Sequence, residues 1–185
     1  MPSPNETTSI PTLESLEAIA YLDDRGQIPE DPLTKKVGVY AIFDTDRNLQ
    51  YIGYSRDIYA SLKQHLVRRP QQCHWLKFKT IDRPSRTILE EIKSAWIAEN
   101  GTTPPGNDSE EKLWTDAIDI KPLLSPAERE RYEAAFGDEL AQSKLLKQKC
   151  RDIEAEILAD LERRGVKMSL RFNPKLKDKG LLDLK

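Results

Sequence analysis

The sequence predicts an α/β fold in which a small β-β-α-β-α domain with a three-stranded sheet is followed by a helical C-terminal region. Residues 37–54 and 75–79 are rich in β-branched and aromatic side chains, which is typical of strands. Residues 55–66 and 85–96 instead repeat apolar side chains every three or four positions, the period of an amphipathic helix. After residue 107 the composition becomes acidic and helix-forming, which indicates where the domain ends.

The chain is expected to have three regions. They are an N-terminal tail and short helix in residues 1–30, the α/β domain in residues 31–107, and a helical extension in residues 108–185. Apolar residues at steps of three between Leu13 and Leu22 predict a helix over residues 12–22, preceded by a frayed tail.

The elements of the domain follow from local signals. Residues 37–43 and 49–54 flank the turn-forming run 44–48, which predicts a β-hairpin. Ser55 is a candidate N-cap for the first long helix, and Ser85 begins the second.

The C-terminal extension is predicted to be mainly helical. The run Ser125-Pro126-Ala127-Glu128 has the pattern of a capping box with proline at the first helical position. Helical spacing continues to about Arg164, with Gly137 as a candidate break. The long helix either packs on its own domain or contacts a partner, and residues 166–172 form either a short strand or an extended tail.

Composition and charge exclude several classes of protein. The chain has 29 Lys and Arg against 31 Asp and Glu residues, so it is not a generally basic nucleic-acid coat protein, and phosphate contacts require a local patch. No apolar run approaches the roughly 20 residues that a membrane-spanning helix needs. Two cysteines are too few for a disulfide framework, and the N-terminus lacks an apolar signal-peptide core. We therefore expect a soluble cytoplasmic protein.

Two tyrosines of the predicted hairpin are candidates for a shared site. Because side chains alternate along strands, an even-length loop places Tyr40 and Tyr51 on the same face of the sheet. Gly38 and Gly53, each two residues from a tyrosine, would let a ligand approach the backbone. The alternative is ordinary packing of paired aromatic residues in the core.

The order Gly38-Val39-Tyr40, ten residues, Tyr51-Ile52-Gly53 and then Ser55-Arg56-Asp57-Ile58 resembles the GIY-YIG nuclease domain. The resemblance covers about residues 36–107 and is strongest to the small GIY-YIG domains of cyanobacteria and chloroplasts. It implies an endonuclease that hydrolyses DNA phosphodiester bonds with one divalent metal ion, Mg²⁺ or Mn²⁺.

The resemblance also implies a set of site residues. The catalytic residues would be Tyr40, Tyr51, Arg56, His65 and Asn107, and the metal ligand would be Glu90. Tyr40 would help activate the attacking water, which requires a nearby cation because a free phenol has a pKa of about 10. His65 and Asn107 have structural alternatives, as a polar residue at a helix edge and as a turn residue.

Two positions depart from the family pattern and point to weak catalysis. Ser61 occupies the position of the usual catalytic arginine, so Arg56 would supply part of that role. Lys93 occupies the position of the usual glutamate, on a cationic flank of its helix, which leaves Glu90 as the candidate ligand.

A basic run points independently to nucleic acid, with DNA as the expected partner. Residues 63–86 contain seven Lys or Arg residues and one acid. The candidate phosphate-binding residues are Lys63, Arg68, Arg69, Lys77, Lys79 and Arg86. The alternative for such a run is a solvated face.

The sequence is therefore compatible with three functions of the whole chain. The first is the metal-dependent endonuclease, and the second is a binding module that keeps the fold without catalysis. The third is a helical interaction protein in which the α/β domain is only a scaffold. Loss of activity on substituting Tyr40 or Arg56, and salt-dependent binding of nucleic acid, would separate them.

Overall fold

The computed structural model describes residues 9–185 and has a mixed α/β fold built on a four-stranded antiparallel sheet. The strands are β1 (Ile19–Ala20), β2 (Gly38–Phe43), β3 (Leu49–Ser55) and β4 (Trp75–Thr80), in the spatial order β1-β4-β2-β3. The α/β class is confirmed, whereas the predicted three-stranded sheet lacked β1. Most of the predicted frayed tail falls on residues 1–8, outside the described residues.

The register of the β2–β3 hairpin decides which side chains share a face. Tyr40 is paired with Gly53, and Ile42 is paired with Tyr51. Residues paired in antiparallel strands lie on the same face, and side chains alternate along each strand. Tyr40 and Tyr51 therefore lie on one face of the sheet, as alternation predicted.

The sheet is covered on both faces by helices. Helix α1 (Ile58–Arg68) packs on the face that carries Tyr40, and helix α2 (Arg86–Asn100) packs on the opposite face. Asp57 caps α1 by accepting a hydrogen bond from the Ala60 N–H, so the predicted cap at Ser55 was two residues early. Ser85 caps α2, as expected.

The C-terminal extension is mainly helical, as predicted. Its elements are α3 (Glu111–Thr115), β5 (Ile118–Asp119), α4 (Pro126–Ala134), α5 (Glu139–Arg164), α6 (Pro174–Lys177) and β6 (Leu181–Leu182). Ser125 forms the predicted capping box with Glu128. Gly137, with a φ of +90°, separates α4 from α5 because few residues other than glycine adopt that conformation. Residues 166–172 contribute one β-bridge, between Phe172 and Leu184.

One buried cluster joins the sheet to the C-terminal extension. It contains Tyr40 and Leu62 from the predicted domain together with Trp114, Leu146 and Leu182 from the extension. Burial of this apolar surface, at about 25 cal/mol per Å², ties the extension to the face of the sheet that α1 covers. The domain boundary at residue 107 stays a prediction.

The helix predicted for residues 12–22 is wrong. The segment forms a turn and then strand β1, which pairs with β4. Leu13 and Leu16 pack into the cluster under α2, whereas Ile19 and Leu22 pack against the cluster under α1. The apolar residues at steps of three therefore pack on two faces of the sheet, because the chain crosses from one face to the other at the sheet edge. They do not form one stripe of a helix.

Candidate functional site

The face of the sheet under α1 carries a cluster of four rings, Tyr40, Tyr51, His65 and Trp114. Tyr40 Oη and His65 Nε2 share a hydrogen bond of 2.8 Å. The Trp114 indole stacks on the Tyr51 ring, with centroids 5.0 Å apart and planes 6° apart. All four side chains are buried. Trp114, from the C-terminal extension, thus closes the space through which a ligand would reach the tyrosines.

Burial holds the ionisable groups of this aromatic cluster in their neutral forms. Desolvation, reinforced by Tyr51, raises the pKa of Tyr40 far above its ordinary value. Desolvation also raises the pKa of Tyr51 to about 12. Desolvation, with the nearby charge of Arg68, lowers the pKa of His65 to about 3. A general base needs a pKa near the working pH, so Tyr40 does not have the ionisation that water activation requires.

The Pro105–Asn107 turn fastens the edge of the sheet to the C-terminal extension. The Asn107 side chain accepts a hydrogen bond of 2.8 Å from the Ile52 N–H and donates one of 2.7 Å to the Ile52 carbonyl oxygen. These bonds give hydrogen-bond partners to the backbone N–H and C=O groups of Ile52 on the edge strand β3. Gly106 is required next to it, because a Cβ there would lie 2.6 Å from the Gln50 carbonyl oxygen and 2.7 Å from Trp114 Nε1.

Glu90 lies on the other side of the sheet from the aromatic cluster. Glu90 Oε1 accepts a hydrogen bond of 2.7 Å from the Tyr54 hydroxyl. Tyr54 is paired with Val39, whose face packs against α2. Arg56 lines a groove beside Tyr54 and makes no hydrogen bond to Tyr40 within residues 9–185. The structure therefore does not bring Arg56 and Glu90 together with the predicted catalytic tyrosines.

The surroundings of Glu90 do not resemble a metal site. Its carboxylate is engaged by the Tyr54 hydroxyl, and Lys93 Nζ lies 5.9 Å from the Tyr54 ring centroid. A hard divalent cation needs several oxygen ligands. Among the described residues, no group of three or more His, Cys, Asp or Glu side chains is placed to hold a metal ion.

Two of the predicted phosphate-binding arginines are held by carboxylates of the C-terminal extension. Arg68 pairs with Asp183 and Arg69 pairs with Glu110, each with an N–O distance of 2.8 Å. Arg68 and Asp183 are both largely buried. These arginines join α1 to the extension, so the structure does not present them as free cations.

The other four predicted phosphate-binding residues differ in how they are held. Lys77 Nζ donates a hydrogen bond of 2.9 Å to the carbonyl oxygen of Leu13. Lys63, Lys79 and Arg86 form no ion pair within the described part of the chain. Lys79 and Arg86 lie at one end of the sheet, and Lys63 lies on α1.

That end of the sheet is basic. The start of β2, the end of β3 and the end of β4 meet there, because Gly38 is paired with both Ser55 and Thr80. We call the segments 35–37, 55–57 and 79–86 the basic end. They contain six basic and two acidic residues, a net charge of +4. The six are Lys35, Lys36, Arg56, Lys79, Arg83 and Arg86.

Both long helices of the domain begin at the basic end. The backbone N–H groups of the first turn of a helix carry partial positive charge, which favours anions and disfavours cations. The first turns of α1 and α2 nevertheless contain no acidic side chain, and Arg86 is the first residue of α2. Helix stability does not explain an arginine at this position.

A groove of about 380 Å³ opens at the basic end. Arg56 and Arg86 both line it, together with the Tyr54 ring and the apolar Val37 and Leu89. No acidic side chain of the described residues lines this groove. Its chemistry suits an anionic group with a flat or apolar portion.

Neither cysteine has the surroundings of a reactive thiol. Cys73 and Cys150 are free thiols and both are buried. Desolvation raises the pKa of Cys73 to about 12 and that of Cys150 to about 11. A reactive cysteine is an accessible thiolate with a lowered pKa, and neither residue has these properties.

No family model matches this chain. A segment of 83 residues, 43% of this chain, is 36% identical to the bifunctional monothiol glutaredoxin-S16, chloroplastic, of Arabidopsis thaliana. The matched segment spans 28% of that relative, so the chain corresponds to less than a third of its length.

The comparisons correct the sequence-based identification. No family model supports a GIY-YIG domain, and the relative is named as a glutaredoxin and not as a nuclease. The predicted endonuclease function is therefore wrong, as are the nuclease, hydrolase and magnesium assignments. The prediction of Mg²⁺ or Mn²⁺ as cofactor is also wrong. The geometry gives the physical reason: the phenols are sealed and protonated, and Arg56 and Glu90 are not placed around them.

No helix within residues 9–185 is both long enough and apolar enough to cross a bilayer. The relative is a chloroplastic protein by its name, and the cytoplasmic location predicted for this chain stays a prediction.

Sequence reasoning missed Trp114, which packs on the aromatic cluster, and Asp183, which pairs with Arg68. Trp114 stands in an acidic stretch without apolar periodicity, and Asp183 lies 115 positions after Arg68. The only signal for Trp114 was its residue type, because a tryptophan is seldom left exposed.

Proposed function

We propose that this chain binds nucleic acid through the basic end of its sheet, which contacts the phosphate backbone. The observation that carries the proposal is the set of six basic residues at this end, none of which forms an ion pair with a described carboxylate. The proposal concerns binding alone and includes no bond breaking.

The electrostatics of the basic end favour a bound anion. Arg86 is the first residue of α2 and adds to the positive end of that helix dipole, whereas the Asp57 carboxylate that caps α1 stands between Arg56 and the first turn of α1. Phosphate groups are stabilised by this combination of helix N–H groups and arginine side chains. A bound backbone phosphate would relieve the repulsion that Arg86 otherwise creates at the start of α2.

The shape of the basic end is suited to more than one phosphate. Arg56 and Arg86 line the groove, and Lys79 lies on the same face as Tyr54, since both are paired with Val39. The half-buried Tyr54 ring adds an aromatic surface of the kind on which bases stack. Several cations spread over one end of the sheet fit an extended polyanion.

Replacing Arg56 and Arg86 together by alanine is expected to weaken binding of a fluorescent 20-base-pair DNA at least about tenfold near 0.1 M salt. Each lost phosphate contact lowers the salt slope of the logarithm of the binding constant by about 0.9, so the double variant should lose about 2 from that slope. Fluorescence anisotropy at four salt concentrations measures both quantities.

The control is the double variant Lys144→Ala and Arg151→Ala, which removes the same charge from exposed positions on α5. It should change affinity less than twofold, and thermal melting should show that both double variants remain folded. Equal binding and equal salt slopes for the two double variants would refute the proposal, as would failure of the native chain to bind DNA.

The name of the relative favours a second candidate function, thiol redox chemistry. The described residues of this chain do not supply it, since Cys73 and Cys150 are buried and have raised pKa values. A thiol–disulfide exchange begins with an accessible thiolate. We therefore place DNA binding first.

Both thiols are expected to resist modification in the folded protein. At pH 7.5 an aromatic disulfide reagent should react with them at least about 100-fold more slowly than in 6 M guanidinium, where both are free. Absorbance of the released chromophore gives the rates, and mass spectrometry assigns the cysteine. Rapid reaction of Cys73 or Cys150 without denaturant would favour the redox function.

A further inference from the structure

A second basic groove lies on the outer side of α1, where the last residues of the described chain run past this helix. It has a volume of about 450 Å³. Lys63 and Gln64 line it from α1, and Ser169, Arg171 and Lys185 line it from the C-terminal extension. The groove is thus shared between two parts of the chain that are far apart in sequence.

The side-chain charge of this α1 groove is entirely positive. Among residues 9–185, its charged lining side chains are Lys63, Arg171 and Lys185, with no Asp or Glu. None of the three forms an ion pair within residues 9–185. Asp183, two residues before Lys185, is paired with Arg68. A terminal carboxylate on Lys185 would still leave the lining at +2.

The backbone that carries these cations is ordered by hydrogen bonds. Phe172 and Leu184 form an antiparallel bridge, and the Lys185 N–H donates a hydrogen bond of 3.0 Å to the Arg171 carbonyl oxygen. Lys63 is in the middle of α1, with Nζ 5.1 Å from the centroid of the Tyr59 ring. The positive side chains therefore project from a fixed frame and not from a free tail.

We propose that the α1 groove binds a phosphate group. Three cations that approach from two chain segments match a compact group with more than one negative charge, and arginine offers a planar fork of donors for its oxygens. Gln64 and Ser169 add neutral donors to the same groove. The phosphate belongs either to a free phosphorylated small molecule or to a nucleic-acid backbone. This inference does not rest on the function proposed for the basic end.

The test uses inorganic pyrophosphate and a 20-nucleotide single-stranded DNA as probes, with the full chain in isothermal titration calorimetry. The double variant Lys63→Gln and Arg171→Gln keeps hydrogen-bonding side chains but removes two charges from the α1 groove. We expect at least about tenfold weaker pyrophosphate binding. The matched control, Lys144→Gln with Arg151→Gln, should change it less than twofold.

The outcomes separate the two sources of phosphate. Pyrophosphate binding that the double variant loses supports a small phosphorylated ligand, whereas loss of DNA affinity alone supports a nucleic-acid backbone. The inference would be overturned if the native chain, the groove variant and the control bound each probe with the same affinity. It would also be overturned if the native chain bound neither probe. The Arg56→Ala and Arg86→Ala variant should keep the part of pyrophosphate binding that Lys63→Gln with Arg171→Gln removes, so a failure at the basic end is distinguishable from a failure here.

Discussion

Replacing Trp114 with alanine is expected to lower the free energy of unfolding by about 3–5 kcal/mol, the usual range for removing a buried large aromatic side chain. Trp114 is 0% exposed and stacks on Tyr51 at 5.0 Å. Its loss would leave a cavity between the sheet and the C-terminal extension. Urea unfolding followed by circular dichroism measures the change, and the melting temperature should fall by about 10 °C.

Two further variants at this helix make the Trp114 prediction specific. Leu113→Ala, at the neighbouring position, removes a side chain that is 52% exposed and should cost about 0.5 kcal/mol or less. Trp114→Phe should recover more than half of the stability lost in Trp114→Ala, because an aromatic ring is kept and Trp114 Nε1 has no hydrogen-bond partner among residues 9–185. Equal losses for Leu113→Ala and Trp114→Ala would contradict the burial on which the prediction depends.

Local signals in the sequence were sufficient for most of the sheet and helices. The β2–β3 hairpin, the strand at Trp75–Thr80 and helices α1 and α2 follow from residue type and periodicity, and they were predicted correctly. The capping box at Ser125 and the break at Gly137 depend on single residues with specific backbone preferences. These features are local, so one sequence can reveal them.

Features that depend on distant contacts could not be predicted. The apolar steps of three between Leu13 and Leu22 predicted a helix. The sequence does not show that the first half of this segment packs on one face of the sheet and the second half on the other. The pair Arg68–Asp183 and the stacking of Trp114 on Tyr51 likewise join residues whose proximity is set only by the fold.

The candidate site also depends on contacts between residues that are distant in sequence. The sequence correctly placed Tyr40 and Tyr51 on one face, but an aromatic pair there is equally compatible with a site and with a core. What decides is the burial of the rings, with Trp114 stacked on Tyr51, and the position of Glu90 on α2, across the sheet from them. Trp114 of the C-terminal extension thus makes this face of the sheet part of the core, whereas the cations of the basic end form no ion pair within the described residues.

The stability of the protein is expected to fall as the pH is lowered from about 6.5 towards 3, and His65 is the main cause. Burial, with Arg68 nearby, lowers the pKa of His65 to about 3 in the folded state, against 6.5 when unfolded. Between these values the unfolded chain binds a proton that the folded chain does not, so the free energy of unfolding decreases by up to about 1.4 kcal/mol per pH unit. Between pH 7.5 and 5.0 we expect a loss of about 2 kcal/mol.

Two substitutions assign this pH dependence, since His65 and His74 are the two histidines of the chain. His65→Gln removes the titrating group while its amide oxygen can still accept a hydrogen bond from Tyr40, so the loss between pH 7.5 and 5.0 should shrink to below about 1 kcal/mol. His74→Gln is the control, because the pKa of the half-buried His74 is also lowered by desolvation, yet most of the dependence should survive its removal. Urea unfolding at both pH values measures the difference within each variant, whatever its absolute stability. An unchanged pH dependence in His65→Gln would show that His65 is not held neutral, and the aromatic cluster would then be open to water and protons after all.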